Sequence, residues 1–346
     1  MLNERIKTMD YKDRIINHNQ LGGIETYVVD NGPGRGSRVA WVNTGSGLRF
    51  KVSIDRGLDI VEAFYGKYSL SWLSFVGTAA PRPDSDRGLN WLSTFPGGLV
   101  TTCGLSHAGA PDEDESGQRG LHGKYSNSAA EVTSIIQPEL TDAEPQMSIS
   151  GIVREARVFG PNLEMQRTIS CKLLKPQIVI TDRVINRGNS SSPHMLLYHC
   201  NFGWPLVDQG TQILYKGKCR SRGMDFDDAV FNENNDYRTC SAPIDAHSGS
   251  GEACGFIDST PDDDGLCRTG LFNDKLSLGA MITYDAKQLP CLANWQHWGR
   301  GEYVTGLEPA TNFPTGQVKA REEGKLIMLE PGETRNYKLV IDITEK

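Results

Sequence analysis

"QMSISGIVREARV" (residues 146–158), followed by "LEMQRTISCKL" (163–173) and "QIVITDRVIN" (177–186), decides the fold class. In all three segments apolar side chains recur at every second position: Met147, Ile149 and Val153, then Leu163, Met165 and Ile169, then Ile178, Ile180 and Val184. A period of two is that of a strand with one buried face, and these are rich in the branched residues strands favour. The separators are short and hold Gly, Pro and Asn, which leaves no room for the crossover helix that parallel neighbours need. The strands must pair antiparallel.

Outward from this core the same pattern recurs in "IETYVVD" (24–30), "SRVAWVNT" (37–44), "LRFKVSI" (48–54), "AAEVTSII" (129–136), "TQILYKG" (211–217), "KLSLGAMITYD" (275–285), "KLIMLE" (325–330) and "NYKLVIDI" (336–343). No stretch has a convincing helical period longer than about ten residues, and no repeat of fixed length suggests a propeller or solenoid. The expectation is an all-β protein, one large antiparallel β-sandwich domain over residues 1–346, with no dividing linker. Residues 1–30 are expected as an N-terminal extension. Within it Ile6, Met9, Ile15 and Ile16 fall loosely at helical spacing, which suggests one amphipathic helix over 1–20. "TAAPRPDSDRG" (78–88) and "AGAPDEDESGQRG" (108–120) are expected as long loops bracketing a strand, and loops of that length commonly carry function.

Composition excludes several classes. With 346 residues the core needs neither metal nor disulfide for stability. Thirty-six basic against 43 acidic residues, in no long run of one sign, leave no footprint for a phosphate backbone, so no nucleic acid is expected. Eight cysteines without C-x-x-C or ligand-like pairing with histidine read as free thiols of a reducing cytosol. The opening "MLNERIKTMDYKDRI" lacks an apolar signal core, and no apolar run approaches the roughly 20 residues of a membrane span. A cytoplasmic protein without membrane contact is expected, in which Asn189-Ser190-Ser191 has no glycosylation meaning.

Two motifs fail on inspection. "GPGRGSR" (32–38) lacks the Lys-Ser/Thr ending of a phosphate loop and reads as a hairpin turn. "DEDESG" (112–117) starts like a calcium loop but has Gly123 where the bidentate Glu belongs. Three segments survive: "RGLHGKYSN" around His122, "LLYHCNFGWPL" around His199, and "YVTGLEPATNFPTGQ" around Glu308. Taken singly, a histidine in an apolar strand reads as a hydrogen-bonded core residue and a glutamate before proline as a strand end. Together they supply an imidazole and a carboxylate, an acid and a base that can move protons on one substrate.

Further candidates surround these three. Arg56 in "DRGLDI" offers a planar fork for hydroxyls or an acidic group, against a structural pairing with Asp55 or Asp59. If Arg56 and Lys124 share one site, an acidic substrate is expected. In "PCLANWQHWGRGEY" (290–303), Trp295 and His297 share one strand face and Trp298 the other, so Trp295 can be a stacking platform for a ligand. Asn201, two residues after His199, is a further substrate-binding candidate. His107 is a minor loop candidate.

Leu121-His122-Gly123, then His199 with Asn201-Phe202, then Gly306-Leu307-Glu308-Pro309 and the closing "MLEPGETRNYKLVIDI" resemble the galactose mutarotase (aldose 1-epimerase) superfamily. "LRFKVSIDRGLDIVEAFYGKYSLSW" and "GGLVTTCGL" resemble a largely uncharacterised, aldose-epimerase-like branch of it. The resemblance runs from about residue 48 to 343. It implies a supersandwich with a sugar cleft across one sheet, no cofactor and no metal. By the same resemblance Glu308 is the base at the anomeric hydroxyl, His199 the acid at the ring oxygen, and His122 a holder of that oxygen or a neighbouring hydroxyl. This chain departs from well-known members in having Lys124 two places after His122 and Cys200-Asn201-Phe202-Gly203 after His199. Their substrate-selecting aspartate has only Asp225 and Asp227 of "GMDFDD" as candidates, against a solvated acidic loop.

The expected partner is a small-molecule sugar, either a free aldose or an acidic or modified sugar, and a homodimer is open to the chain. The alternatives are a non-catalytic sugar-binding or sensing protein, and a keto-sugar epimerase or lyase using the same base. The isomerase reading expects His199 and Glu308 within one sugar ring of each other across an open cleft.

Overall fold

The computed structural model describes residues 11, 13–249 and 251–345, so most of the expected helix over 1–20 lies outside the described residues. The alternating segments form strands, and every strand pair is antiparallel. A five-stranded meander runs Gly23–Val28, Arg38–Asn43, Leu48–Ser53, Asp59–Tyr65, Tyr68–Ser69. Part of the stretch read as an extension is thus integral: Gly23–Val28 pairs with Arg38–Asn43 along its whole length. "GPGRGSR" lies in the turn between these two strands.

An eight-stranded sheet has Thr334–Glu345 near its centre. On one side of it lie Gln177–Asn186, Asn162–Lys172, Gln146–Ala156 and Glu131–Ile136; on the other, Leu278–Asp285, Leu266–Asn273 and Gln212–Tyr215. A seven-stranded sheet is built around Ser192–Gly203, which pairs with Glu302–Ala310 and with Thr101–Leu105. "DEDESG" is part of a small hairpin, Asp112–Asp114 with Gly117–Arg119, whose carboxylates Asp112 and Asp114 are taken by Arg119. The acidic "GMDFDD" segment contains a short helix, Asp225–Val230, rather than a solvated loop.

One apolar core draws on all three large sheets, as the period-two pattern requires. Ser192–Gly203 is buried on nearly its whole length, hence on both faces. Leu196, Tyr198, Cys200 and Phe202 enter the main core, while Met195 and Leu197 join a second cluster with Trp91, Phe95 and Cys103. The alternation therefore puts His199 and Asn201 on the side of the second cluster.

The main core also holds a buried charge. Arg167, at an inward position of its strand, grips Asp182 through Nε (2.9 Å) and Nη2 (2.7 Å), and its Nη1 reaches Asp59 (3.2 Å) and Thr102 (2.9 Å). Tyr198 donates to Asp182 from the seven-stranded sheet (2.6 Å). Replacing Arg167 with Met leaves two buried carboxylates without their cation. Urea denaturation is expected to show a loss of about 3–5 kcal/mol, and a change below about 1 kcal/mol would contradict this assignment.

Candidate active site

The site is one row of residues across neighbouring strands. In the antiparallel register Leu197 faces Ala310 and Cys200 faces Leu307, which sets His199 opposite Glu308. The row continues with Thr101 beside His199 and with Ala293 beside Glu308. Opposed residues on one face put their side chains in contact. His199 Nε2 lies 3.3 Å from Glu308 Oε1. The next row on the same face is Asn201, Gly306 and Trp295. Gly306 is small for a reason: a Cβ there would fall 2.8 Å from Glu308 Oε1 and 3.3 Å from Trp295 Cβ.

Aromatic rings close over the pair. Trp91 and Phe95 stack on each other at 4.3 Å, and Phe95 lies 5.2 Å from the His199 ring. Trp295 meets His199 edge-on at 5.5 Å and Trp72 at 5.9 Å. His122 meets His199 edge-on at 5.6 Å from a turn in which it has φ 59°, a left-handed conformation uncommon outside glycine. The expected open cleft is not there: the His199 and Glu308 side chains are covered, at 7% and 3% exposed. Trp72, His122 and Trp295 are the half-buried rings.

Three polar atoms here have no hydrogen-bond partner among the described residues: His199 Nδ1, Glu308 Oε1 and Asn201 Oδ1. A buried histidine serving only the core would be satisfied, as His194 is by Leu105 O and Tyr337 Oη. Burial pushes Glu308 up to about 8, reinforced by the negative charge of Glu252 and opposed by Arg222. Burial pushes His199 down to about 4, opposed by the neighbouring Asn201 side chain. Between these values the pair holds one proton, carried by the carboxyl.

The other expected site residues divide. Trp295 and His122 stand beside the pair. Asn201 also supports it from within, its amide donating to the carbonyls of Gly97, Gly98 and His199. His297 lies behind Trp295, its ring parallel within 5°, and is held by Gly251 O and by Glu302 at 3.4 Å. Trp298 points the other way into the main core, as strand alternation requires.

Arg56 is not beside the His199–Glu308 pair. It is 2% exposed, and its guanidinium donates to the carbonyls of Ser126, Ala79 and Thr94, so it ties loops together. Lys124 also lies elsewhere, on the wall of a separate cavity that His107 lines too. Asp227 is fully buried in an ion pair with Arg222 and caps its own helix, which removes it as a sugar ligand.

Sequence reasoning missed Trp72, Trp91, Phe95 and Glu252. The one-turn spacing of Trp91 and Phe95 beside Pro96-Gly97-Gly98 was the available signal for those two. Glu252 is recognisable only in three dimensions: it accepts from Trp295 Nε1 at 2.8 Å and pairs with Arg222 at 3.1 Å. Among the described residues no group of three or more His, Cys, Asp or Glu side chains could hold a metal ion. No helix among them is long and apolar enough to cross a membrane.

Residues 34–343 match the family model described as a domain of unknown function, DUF4432. The chain belongs to the DUF4432 family. No curated protein matches it. Solved structures share its fold. A "putative aldose 1-epimerase" from Klebsiella pneumoniae subsp. pneumoniae MGH 78578 is 21% identical with a TM-score of 0.85, covering 97% of this chain and 90% of that one. A galactose mutarotase-like protein from Clostridium acetobutylicum is 11% identical with a TM-score of 0.62, covering 95% and 100%. Galactose 1-epimerase from Lactobacillus acidophilus NCFM is also 11% identical, with a TM-score of 0.61 over 93% and 98%. The DUF4432 chain thus has the galactose mutarotase-like β-sandwich.

Two outcomes follow from the site's physics. The unfolded chain ionises Glu308 near its ordinary 4.5, whereas the folded chain keeps the proton to about 8, so this group costs stability increasingly as pH rises through that window. Glu308→Gln removes the cost, and its melting temperature is expected to gain on wild type between pH 5 and pH 8; a constant difference would contradict the raised pKa. Gly306→Ala is expected to displace the Glu308 carboxylate, visible as a shifted His199 imidazole resonance, while the fold survives.

Proposed function

We propose that this chain is an isomerase that interconverts the anomers of a sugar, with Glu308 as base and His199 as acid. The observation that carries the reading is the buried carboxyl–imidazole pair at 3.3 Å with an unpartnered polar atom on each side chain. O1 and O5 are bonded to the same carbon of a hemiacetal, so groups this close can serve both at once. Glu308 takes the O1 proton, the C1–O5 bond breaks as the C1–O1 double bond forms, and His199 protonates O5. Rotation about C1–C2 exposes the other face, and the two proton transfers reverse on closure. The resting proton of Glu308 first passes to His199 across the 3.3 Å contact, and opening then converts carboxylate and imidazolium back into carboxyl and imidazole, so the pair's total proton count never changes.

The surrounding residues take supporting roles. Trp295, fixed by Glu252 and backed by His297, is the stacking platform, and His122 holds the ring oxygen or a neighbouring hydroxyl. The sugar enters by displacing the half-buried rings of Trp72, Trp295 and His122. Asn201 orients His199. Keto-sugar chemistry, with Glu308 removing a proton next to a carbonyl, is the second reading; a carboxyl raised to about 8 is a stronger base than an ordinary one.

Exchange NMR of anomer interconversion, over neutral and acidic sugars, tests the proposal. One sugar class is expected to exchange faster, with Glu308→Gln and His199→Gln each slowing it by roughly 10² or more. The rate is expected to be flat between about pH 4 and pH 8, falling above as the acid is lost and below as the base is lost. Sugar binding without accelerated exchange would overturn the mutarotase reading, and a new epimer or an eliminated product would establish the keto-sugar one.

A further inference from the structure

The turn that carries His122 leads from the buried His199–Glu308 pair to a cavity. His122 and Gly123 are both left-handed (φ 59° and 70°), and a Cβ on Gly123 would lie 2.6 Å from His107 O and 2.7 Å from Gly104 O. Only glycine fits there. The chain passes through this turn with His122 against His199, while Lys124, two residues later, lines a cavity of about 400 Å³. That volume is in the range of small-molecule sites, and neither His199 nor Glu308 lines it.

The cavity wall is polar and partly uncompensated. Arg119 and Arg321 face it already paired with Asp112 and Asp114. Lys124 and Arg157 face it with no carboxylate partner among the described residues. His107 is 2% exposed and neither ring nitrogen is hydrogen-bonded, its nearest acidic oxygen being that of Asp112 at 3.8 Å. Nη2 of Arg119 is likewise buried without a partner.

Two carboxylates also line the cavity. Glu155 is fixed in place by the Leu105 and Ser106 amides and the Ser106 hydroxyl, from which it accepts, and Asp86 is half-buried. The hydroxyls of Ser190 and Ser191 and the amide of Asn162 complete a lining suited to hydroxyl groups.

We propose that this cavity is a second ligand site, for a small anionic polyol of the sugar phosphate or sugar acid class. Lys124 and Arg157 take the anionic group, and the serine and asparagine side chains take the hydroxyls. The site is independent of the chemistry at His199.

Titration calorimetry on the full chain tests it, with glucose 6-phosphate, glucuronate, inorganic phosphate and glucose as probes. At least one of the first two is expected to bind more tightly than phosphate or glucose, and more weakly as salt rises. Binding is expected to fall at least tenfold in Lys124→Ala/Arg157→Ala and to survive in Glu308→Gln and His199→Gln. Thermal melts and, if present, sugar turnover by the double variant show that it is folded. Absence of binding by every anionic probe would overturn the proposal. So would binding that is lost in Glu308→Gln yet kept in the double variant, because the ligand would then occupy the other site.

Discussion

A cation buried in the core cannot be left without partners, and that constraint orders the molecule. Arg167 is held by Asp182 on the neighbouring strand and by Asp59 from the five-stranded meander, and Tyr198 hydrogen-bonds the same Asp182 from the seven-stranded sheet. Three sheets therefore converge on one guanidinium. Tyr198 must face this network, so His199, its neighbour, must face the opposite way. A slip of one residue would exchange the two faces, burying His199 in the main core and removing Tyr198 from Asp182. Structural register and site geometry are the same fact seen from two sides of one strand.

From that register the chemistry is assembled by cross-strand pairing rather than by loops. Glu308 stands opposite His199, Gly306 leaves space for its carboxylate, and Trp295 forms the adjacent wall. The sheet supplies rigidity, and the aromatic rings supply the low dielectric that moves the two groups away from their ordinary values. The consequence is a trade between stability and function: the folded chain shelters a carboxyl and an imidazole that would each be better solvated outside.

Much of this is legible in the sequence because period-two alternation is a local signal. It foretells the strands, the antiparallel pairing, and the opposite fates of Trp295 and Trp298. The meeting of His199 with Glu308 is a register property linking residues 109 positions apart, and it came instead from resemblance. Arg56 misled because a guanidinium beside a glycine turn reads equally as a ligand fork or as a staple for carbonyls, and only its three partners show which. Lys124 misled because a left-handed turn at His122 and Gly123 sends it away from the histidine two places earlier. Glu252 was invisible because it is one acidic residue among 43, recognisable only from the Trp295 indole it holds.

The central claim is that His199 and Glu308 share one proton, located on the carboxyl near neutral pH. Infrared difference spectroscopy of wild type against Glu308→Gln, at pH values from 5 to 9, reads that proton directly. A protonated carboxyl band present at pH 6 and replaced by a carboxylate band around pH 8 is the result predicted by the burial of Glu308. A carboxylate band throughout the range would contradict it, showing that the resting proton is not on Glu308.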